Sequence, residues 1–230
     1  MTSTSTMAAR DASRNEGGCE RISESPVVVR PAYKFAKRAL DLAIAIPGLA
    51  FLSPFLFIVA ALVKLTSHGS VFYAWDVVGR GGRSFRGYKF RTMIPFADSM
   101  RGRLVAHNEM EGPVFKMRRD PRVTTFGRFL RKFSIDELPQ LWSVIKGDMS
   151  LVGPRPAFAS EWERYEPGQR RRLSVTPGIT CLWQINGRNA IRNFDEWVRL
   201  DLEYIDHWSL GLDLSILART VAAVLRGTGI

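Results

Sequence analysis

The pattern of hydrophobic positions divides the chain into three parts. The first 31 residues are polar, rich in serine and without an apolar run, which predicts a flexible cytosolic tail over 1–31. The stretch from residue 42 to residue 63 is 22 residues long and carries no charge; with its flanks it forms a predicted membrane segment, 32–68. From residue 69 onward the composition is that of a globular domain, which we place at 69–230.

The apolar segment is long enough to cross a bilayer, since a straight helix of this length spans about 33 Å. Pro47 and Pro54 interrupt it, however, and the residues on both sides of it are basic. An interior proline kinks or breaks a helix, and the positive-inside rule keeps both flanks in the cytosol. We therefore predict a re-entrant helix that breaks near Ser53 and Pro54 and returns. A kinked single span and a buried core helix are the alternatives.

Two details belong to this membrane prediction. The Ser53 hydroxyl is expected to bond a carbonyl that Pro54 leaves without its usual donor. Lys37 and Arg38, which precede the apolar segment, are expected at the lipid headgroups, where they would set the depth of the hairpin.

The globular part predicts a mainly helical α+β fold. Two runs rich in valine and aromatic residues surround Gly81 and Gly82, which is typical of a β-hairpin. Loops are expected at "SLVGPRPAF" and "VTPGIT". The last twenty residues repeat leucine and valine at helical spacing, which favours an amphipathic helix in the membrane interface or, equally, one packed on the core. Further helices are predicted around Leu138–Ile145, Glu161–Tyr165 and Asp195–His207.

Charge indicates an anionic partner. The chain carries 33 Lys and Arg against 22 Asp and Glu, a net charge of +11, which suits nucleic acid, a membrane surface or phosphorylated ligands. Basic residues alternate with Phe85, Tyr88 and Phe90, a pattern also found in binders of single-stranded nucleic acid. Beside a membrane segment, a surface facing phosphate or headgroups is favoured. The two cysteines are far apart and predict no disulfide framework.

A pair of acids stands out in this basic chain. In "SIDELPQL", Ser134 and Glu137 match a helix capping box, whereas Pro139 places the helix N-cap near Asp136. Asp136 would then lie at the positive end of a helix, close to Arg131, in a setting that also binds anions. From spacing alone, a structural cap and a functional site remain equally open.

Several motifs occur in an order that resembles a known family. They are "KRALD" before the apolar segment, "SP" within it, "KFRTM", "TPGITCLWQINGR" and the long stretch "DPRVTTFGRFLRKFSIDELPQLWSVIKGDMSLVGPRP". From about Tyr33 to its last residues the chain resembles the bacterial sugar transferases, the monotopic polyprenyl-phosphate phosphoglycosyl transferases, in their stand-alone catalytic form. The stretch from Arg131 to Pro156 is the most specific part of this resemblance.

The resemblance implies a reaction and a set of residues. Asp136 corresponds to the nucleophile that attacks the phosphorus bearing the sugar in a UDP-sugar, expels UMP and passes the sugar phosphate to undecaprenyl phosphate. Mg²⁺ held by Asp136, with Glu137 either as a second metal ligand or as a residue that orients Asp136, would explain the paired acids, because anionic groups must meet there. Arg131 matches a phosphate-binding arginine, and Arg155 of "GPRP" matches a residue on the nucleotide side.

Other matches carry less weight. Lys89 and Arg91 of "KFRTM" are predicted to bind substrate phosphate, with a solvated hairpin face as the alternative. Arg188 of "WQINGR" is predicted to touch the sugar or the nucleotide. The sequence departs from the family at Trp75 and Asp76, where relatives carry Gln or Arg, and no role is carried over from that strand.

These expectations give one leading hypothesis. The protein would be monotopic, at the cytoplasmic face of a bacterial inner membrane, and would initiate an exopolysaccharide or another surface glycan by transferring a hexose 1-phosphate. Its expected partners are a UDP-sugar, undecaprenyl phosphate and the phospholipid bilayer; no nucleic acid is expected, and a homo-oligomer is left open. The alternatives are a catalytically silent membrane scaffold and a membrane-tethered nucleic-acid binder.

Overall fold

The protein combines helices with a small amount of β-structure. The computed structural model describes residues 31–187 and 190–229, so the predicted tail lies outside the described residues except for Pro31, where the first helix begins. The helices are α1 Pro31–Thr66, α2 Arg101–Leu104, α3 Thr125–Lys132, α4 Leu141–Lys146, α5 Ala159–Trp162, α6 Pro167–Arg170, α7 Leu182–Ile185, α8 Phe194–Asp206 and α9 Leu210–Arg226. The strands are β1 Phe72–Val78, β2 Ser84–Phe90, β3 Ser150–Val152, β4 Ala157–Phe158 and β5 Gly178–Thr180.

The apolar segment lies in α1, which continues through both of its prolines. As predicted, the Ser53 hydroxyl donates to the carbonyl of Ala50 at 2.8 Å. That carbonyl would otherwise accept from residue 54, which is a proline and has no N–H. Among the described residues, α1 is the one helix long and apolar enough to cross a membrane. The re-entrant hairpin itself stays a prediction.

Both ends of α1 pack on the globular part, while its middle does not. Near its start, Lys37, Asp41 and Ala45 are buried, and near its end Val59 and Val63 join Phe90 and Leu130 in a small apolar cluster. Between these contacts, Phe51 is 85% exposed and Phe57 is 76% exposed. Because so much apolar surface is left open to solvent, α1 does not fit the alternative of a buried core helix.

The predicted β-hairpin is present. Strands β1 and β2 pair antiparallel from Phe72 opposite Phe90 to Val78 opposite Ser84. Gly81 and Gly82 adopt positive φ in the connection, a conformation that glycine adopts without steric cost. Phe90 is buried and Phe85 packs against the core, so these two rings do not form an exposed platform for nucleic-acid bases.

The two predicted loops contain short strands, and that part of the prediction was wrong. Within "SLVGPRPAF", β3 pairs parallel with β5, and β4 adds a third strand to the hairpin beside β1. Strands of two or three residues are too short to show an alternating pattern. Their pairing also depends on distant parts of the chain, so the local sequence does not predict it. These pairings place Arg155 between two strands.

Helix α9 is present where the sequence predicts a C-terminal helix, but its predicted position in the membrane interface is not confirmed. Asp213 and Ile216 are buried against the protein, whereas Leu214, Val221 and Leu225 of the predicted apolar stripe are more than half exposed. Most of the stripe therefore faces away from the core. The interfacial position of this helix remains a prediction.

The residues after α9 return to the end of α3. The N–H of Gly229 donates to the carbonyl of Lys132 at 3.0 Å. An ideal Cβ on Gly229 would lie 2.0 Å from the carbonyl oxygen of Arg131, so the two backbones are in direct contact there. The segment that leads to the acid pair is thereby covered by the far end of the sequence.

A buried ion pair fixes the interior beside α8. Arg172 and Asp201 are fully buried, and the Arg172 Nε donates to Asp201 Oδ2 at 2.8 Å. A second arginine nitrogen donates to the Tyr165 hydroxyl at 2.9 Å. Burial raises the pKa of Asp201 to about 6, although the Arg172 charge opposes this shift.

Candidate active site

A cleft of about 860 Å³ opens beside the β-hairpin. One wall is the face of β1 and β2, and another is a 3₁₀ helix, Ile135–Gln140, which packs on β2. His68, Gly69 and Ser70, which lie shortly after the end of α1, also line it. The predicted site residues that line this cleft are Asp136, Glu137, Arg131, Arg155, Lys89 and Arg91. Residues from distant parts of the sequence thus converge on one concave surface.

The acid pair lies in the first turn of the 3₁₀ helix. Ser134 is the N-cap and has a left-handed backbone with φ of 52°, and the Glu137 N–H donates to the Ser134 carbonyl at 3.2 Å. The predicted N-cap at Asp136 was therefore wrong. The chain turns sharply at Ser134, and the helix begins before the position that Pro139 suggested. A left-handed non-glycine residue is strained, which is common beside functional sites.

Arg131 comes from the last turn of α3. Its Nε donates to the Thr92 hydroxyl at 2.9 Å, and Thr92 itself is buried. Burial lowers the pKa of Arg131, and the nearby charge of Asp136 opposes that shift. An ideal Cβ on Gly127 would lie 2.1 Å from the Thr92 carbonyl oxygen. The backbone of α3, which carries Arg131, is therefore in direct contact with the backbone just after β2.

Two basic residues reach the site from β2 and its end. The Lys89 Nζ lies 2.8 Å from Glu137 Oε1 and 5.3 Å from the centre of the Trp75 ring. Arg91 lines the cleft, but its guanidinium donates to the carbonyl and hydroxyl of Ser67, at 2.7 and 2.8 Å. Lys89 therefore faces the acids, whereas Arg91 ties the cleft to the end of α1.

Arg155, between β3 and β4, also lines the cleft. It pairs with Glu161 at 3.2 Å, and its Cζ lies 5.5 Å from the centre of the Phe158 ring. The Glu161 carboxylate is buried and also accepts from the Phe158 N–H at 3.1 Å. Arg155 is thus held in place from two directions. Arg188 lies outside the described residues.

The basic residues at the start of α1 are engaged within the protein. Lys37 is buried and its Nζ lies 2.8 Å from Asp213 Oδ2, on α9. Arg38 donates to the carbonyls of Val144 and Ile145, at 2.6 and 2.8 Å. Those carbonyls belong to the end of α4, where cations are favoured. The charges expected at lipid headgroups therefore hold α1 on the globular part.

Some cleft residues were not identified from the sequence. Glu161 and Thr92 were missed because only the fold brings them to Arg155 and Arg131. Trp75 was noted only as a departure from the family pattern, yet its ring lies beside Lys89. Arg122 is also a cleft residue; it is buried and pairs with Asp120 at 2.7 Å.

The acid pair suits a magnesium ion. Mg²⁺ is commonly bound by one or two carboxylates together with substrate phosphates and water, and Asp136 and Glu137 are two carboxylates beside a cleft with several cations. Across residues 31–187 and 190–229, no cluster of three or more acidic, histidine or cysteine side chains is arranged to hold a metal. A pair of carboxylates is a donor set that fits an ion shared with a phosphorylated substrate.

The chain is similar to known proteins over most of its length. A family model described as bacterial sugar transferase matches residues 32–227. The chain is 47% identical to the galactosyl transferase CpsE of Streptococcus agalactiae over 92% of this chain and 47% of that protein. It is 40% identical to the exopolysaccharide production protein ExoY of Rhizobium meliloti, over 96% of this chain and 99% of that protein. It is 41% identical to the undecaprenyl-phosphate galactose phosphotransferase of Salmonella typhimurium, over 85% of this chain and 42% of that protein. The chain thus spans less than half of two of these relatives and nearly all of the third.

Proposed function

Because this chain belongs to the bacterial sugar transferase family, we propose that it transfers a sugar 1-phosphate from a UDP-sugar to undecaprenyl phosphate and releases UMP. This step would initiate an exopolysaccharide or another surface glycan. The observation that carries the proposal is the acid pair Asp136 and Glu137 in one cleft with Arg131, Lys89 and Arg155. The names of two relatives, a galactosyl transferase and an undecaprenyl-phosphate galactose phosphotransferase, agree with a sugar donor and a lipid carrier.

The first chemical step is a displacement at phosphorus. An Asp136 carboxylate oxygen forms a bond to the phosphorus that bears the sugar, and the bond from that phosphorus to the bridging oxygen breaks. UMP leaves with the bridging oxygen and its electron pair. The sugar phosphate remains on Asp136 as an acyl phosphate, which divides one difficult transfer into two easier ones.

The second step returns the enzyme to its starting state. A phosphate oxygen of undecaprenyl phosphate attacks the same phosphorus, and the Asp136 carboxylate leaves. The product is a polyprenyl diphosphate sugar. No net oxidation or reduction occurs, and the carboxylate is regenerated.

The cations of the cleft address the main obstacle, which is the approach of an anionic carboxylate to an anionic diphosphate. Arg131, held by Thr92, and Arg155, held by Glu161, can each present a guanidinium fork to phosphate oxygens. Lys89 would exchange its contact with Glu137 for one shared with substrate. When bound by Asp136 and Glu137, Mg²⁺ would supply further neutralisation of the phosphate charge.

The placement in the membrane is part of the same proposal. A re-entrant α1 would hold both flanks on the cytoplasmic face of the inner membrane, with the cleft at headgroup height. Packing of both ends of α1 on one globular part, with exposed phenylalanines between them, supports this geometry. Reporters fused at residue 1 and residue 230 should lie on the same side of the membrane; opposite sides would exclude the hairpin.

The proposed function is tested by UMP release. Detergent-purified protein receives Mg²⁺, undecaprenyl phosphate and one of a panel of UDP-sugars, with UDP-galactose and UDP-glucose first because a hexose is expected. Wild type is compared with Asp136→Asn and with Asp148→Asn, a control whose carboxylate pairs with Lys146 in a turn. Release that requires the lipid and Asp136, and that survives in the control, supports the proposal.

Two other outcomes would change the proposal. If folded protein releases no UMP from any UDP-sugar of the panel, the membrane scaffold is favoured. If Asp136→Asn still releases UMP, the proposed activity stands but Asp136 is not its nucleophile. Trapping of a radiolabelled sugar phosphate on wild-type protein in the absence of lipid acceptor would detect the acyl phosphate directly.

A further inference from the structure

Aromatic side chains form part of the cleft wall on the β-hairpin. Tyr73 and Trp75 are two residues apart on β1 and share one face of the sheet. Their rings are nearly parallel, with centroids 5.6 Å apart, and the Phe158 ring lies 6.0 Å from that of Trp75. All three residues line the cleft. We call Tyr73, Trp75 and Phe158 the aromatic wall.

The residue opposite Trp75 makes room for its ring. In the antiparallel register, Trp75 pairs with Gly87, and an ideal Cβ on Gly87 would lie 3.0 Å from the indole. The indole therefore lies against the backbone of β2, and any larger residue at position 87 would push it away. A glycine inside a strand often marks such a close approach.

Two of the cations proposed to bind phosphate lie beside the aromatic wall. The Lys89 Nζ is 5.3 Å from the centre of the Trp75 ring and 2.8 Å from Glu137 Oε1. The Arg155 Cζ is 5.5 Å from the centre of the Phe158 ring. Trp75 is thus linked through Lys89 to Glu137, the neighbour of the proposed nucleophile.

We propose that the aromatic wall, with Trp75 at its centre, binds the pyranose ring of the UDP-sugar. This inference rests on the proposed function. The sugar is joined directly to the phosphorus that Asp136 would attack, whereas the uracil is separated from it by a ribose and a second phosphate. A ring close to Lys89 and Glu137 is therefore in the region of the sugar. One face of a neutral hexopyranose presents C–H groups, and these pack well against an aromatic face.

The wall would act on specificity as well as on affinity. An aromatic face contacts the C–H groups of a sugar but offers no charged partner, which favours a neutral hexose over a sugar that bears a carboxylate. Loss of an aromatic contact of this kind corresponds to about a 3- to 10-fold change in binding. A contact maintained into the transition state would appear in kcat/KM.

The experiment compares Trp75→Leu and Trp75→Phe with wild type in the UMP-release assay. We expect Trp75→Leu to lower kcat/KM for the preferred UDP-hexose by about 3- to 10-fold, and Trp75→Phe to retain most of it, because a phenyl ring keeps the aromatic face. Trp142→Leu is the matched control, since Trp142 is 52% exposed and lies outside the cleft lining. It should leave kcat/KM unchanged.

Inhibition by added UMP distinguishes the sugar from the base, because UMP carries uracil but no hexose. An unchanged inhibition constant in Trp75→Leu, together with a reduced kcat/KM, supports contact with the sugar. A raised inhibition constant would overturn the inference in favour of the nucleobase. If the wild type is active and Trp75→Leu has the same kcat/KM as the wild type, the inference is also overturned, while the proposed function stands. An inactive wild type would instead remove the proposed function.

Discussion

Breaking the ion pair between Lys37 and Asp213 should loosen the attachment of α1 to the globular part. The Lys37 Nζ lies 2.8 Å from Asp213 Oδ2, and the side chains are 8% and 1% exposed. Asp213 also accepts from the Tyr204 hydroxyl at 2.7 Å and lies 3.4 Å from the Trp208 indole nitrogen. In Lys37→Met, the methionine fills most of the volume of the lysine stem, and the carboxylate stays buried without its cation.

The size of the effect follows from burial. Removing one partner of a buried ion pair costs about 3–5 kcal/mol, because an uncompensated charge remains. The Tyr204 and Trp208 contacts still stabilise Asp213, which places the expected loss at the lower end, about 3 kcal/mol. For a domain of this size, 1 kcal/mol corresponds to about 2–4 °C in Tm. We therefore expect Lys37→Met to lower Tm by about 6–12 °C.

Thermal unfolding followed by circular dichroism in one detergent measures this loss. The double variant Lys37→Met/Asp213→Asn is the essential comparison, because the carboxylate that pairs with Lys37 is removed together with the cation. It should be less destabilised than Lys37→Met. A Tm within 2 °C of wild type for Lys37→Met would refute the reasoning, and so would a double variant whose loss equals the sum of the two single losses.

Three other perturbations test the surroundings of the site. Gly127→Ala should destabilise the protein by about 1–3 kcal/mol and reduce UMP release, because its Cβ would lie 2.1 Å from the Thr92 carbonyl oxygen. Gly102→Ala is the control in the same denaturation and release assays, since no atom lies within 4 Å of a Cβ at that position. Arg172→Met should cost about 3–5 kcal/mol by leaving Asp201 buried without a cation, and a denaturant midpoint equal to that of wild type would contradict this. Chelation of Mg²⁺ by EDTA should stop UMP release and added Mg²⁺ should restore it; release that continues in EDTA would show that the acid pair needs no metal.

Local sequence patterns were enough to predict the elements whose signals are local. The hairpin turn at Gly81 and Gly82 needs residues that tolerate positive φ, and the sequence supplies them. The bond from Ser53 to Ala50 follows from the position of Pro54 alone. The acid pair was found because two carboxylates are unusual in so basic a segment.

Features that depend on distant contacts were not predictable in this way. The position of Pro139 placed the N-cap near Asp136, whereas the N-cap is Ser134, whose left-handed turn has no local signature. Lys37 and Arg38 suggested headgroup contacts from their position beside an apolar segment, yet their partners come from α9 and α4. The aromatic wall needed the pairing of β1 with β2 and β4 before Trp75 and Phe158 could be placed together.

The contact between Gly229 and the end of α3 has a consequence for protein engineering. An attractive experiment would exchange C-terminal segments between relatives in order to alter sugar choice or membrane affinity. Here the last described residues touch the backbone of Arg131 and Lys132, five residues or fewer before Asp136. An exchanged segment that lacks glycine at position 229 would displace the turn that carries the acid pair. A chimaera of this protein should therefore take α3 and the C-terminal segment from the same parent.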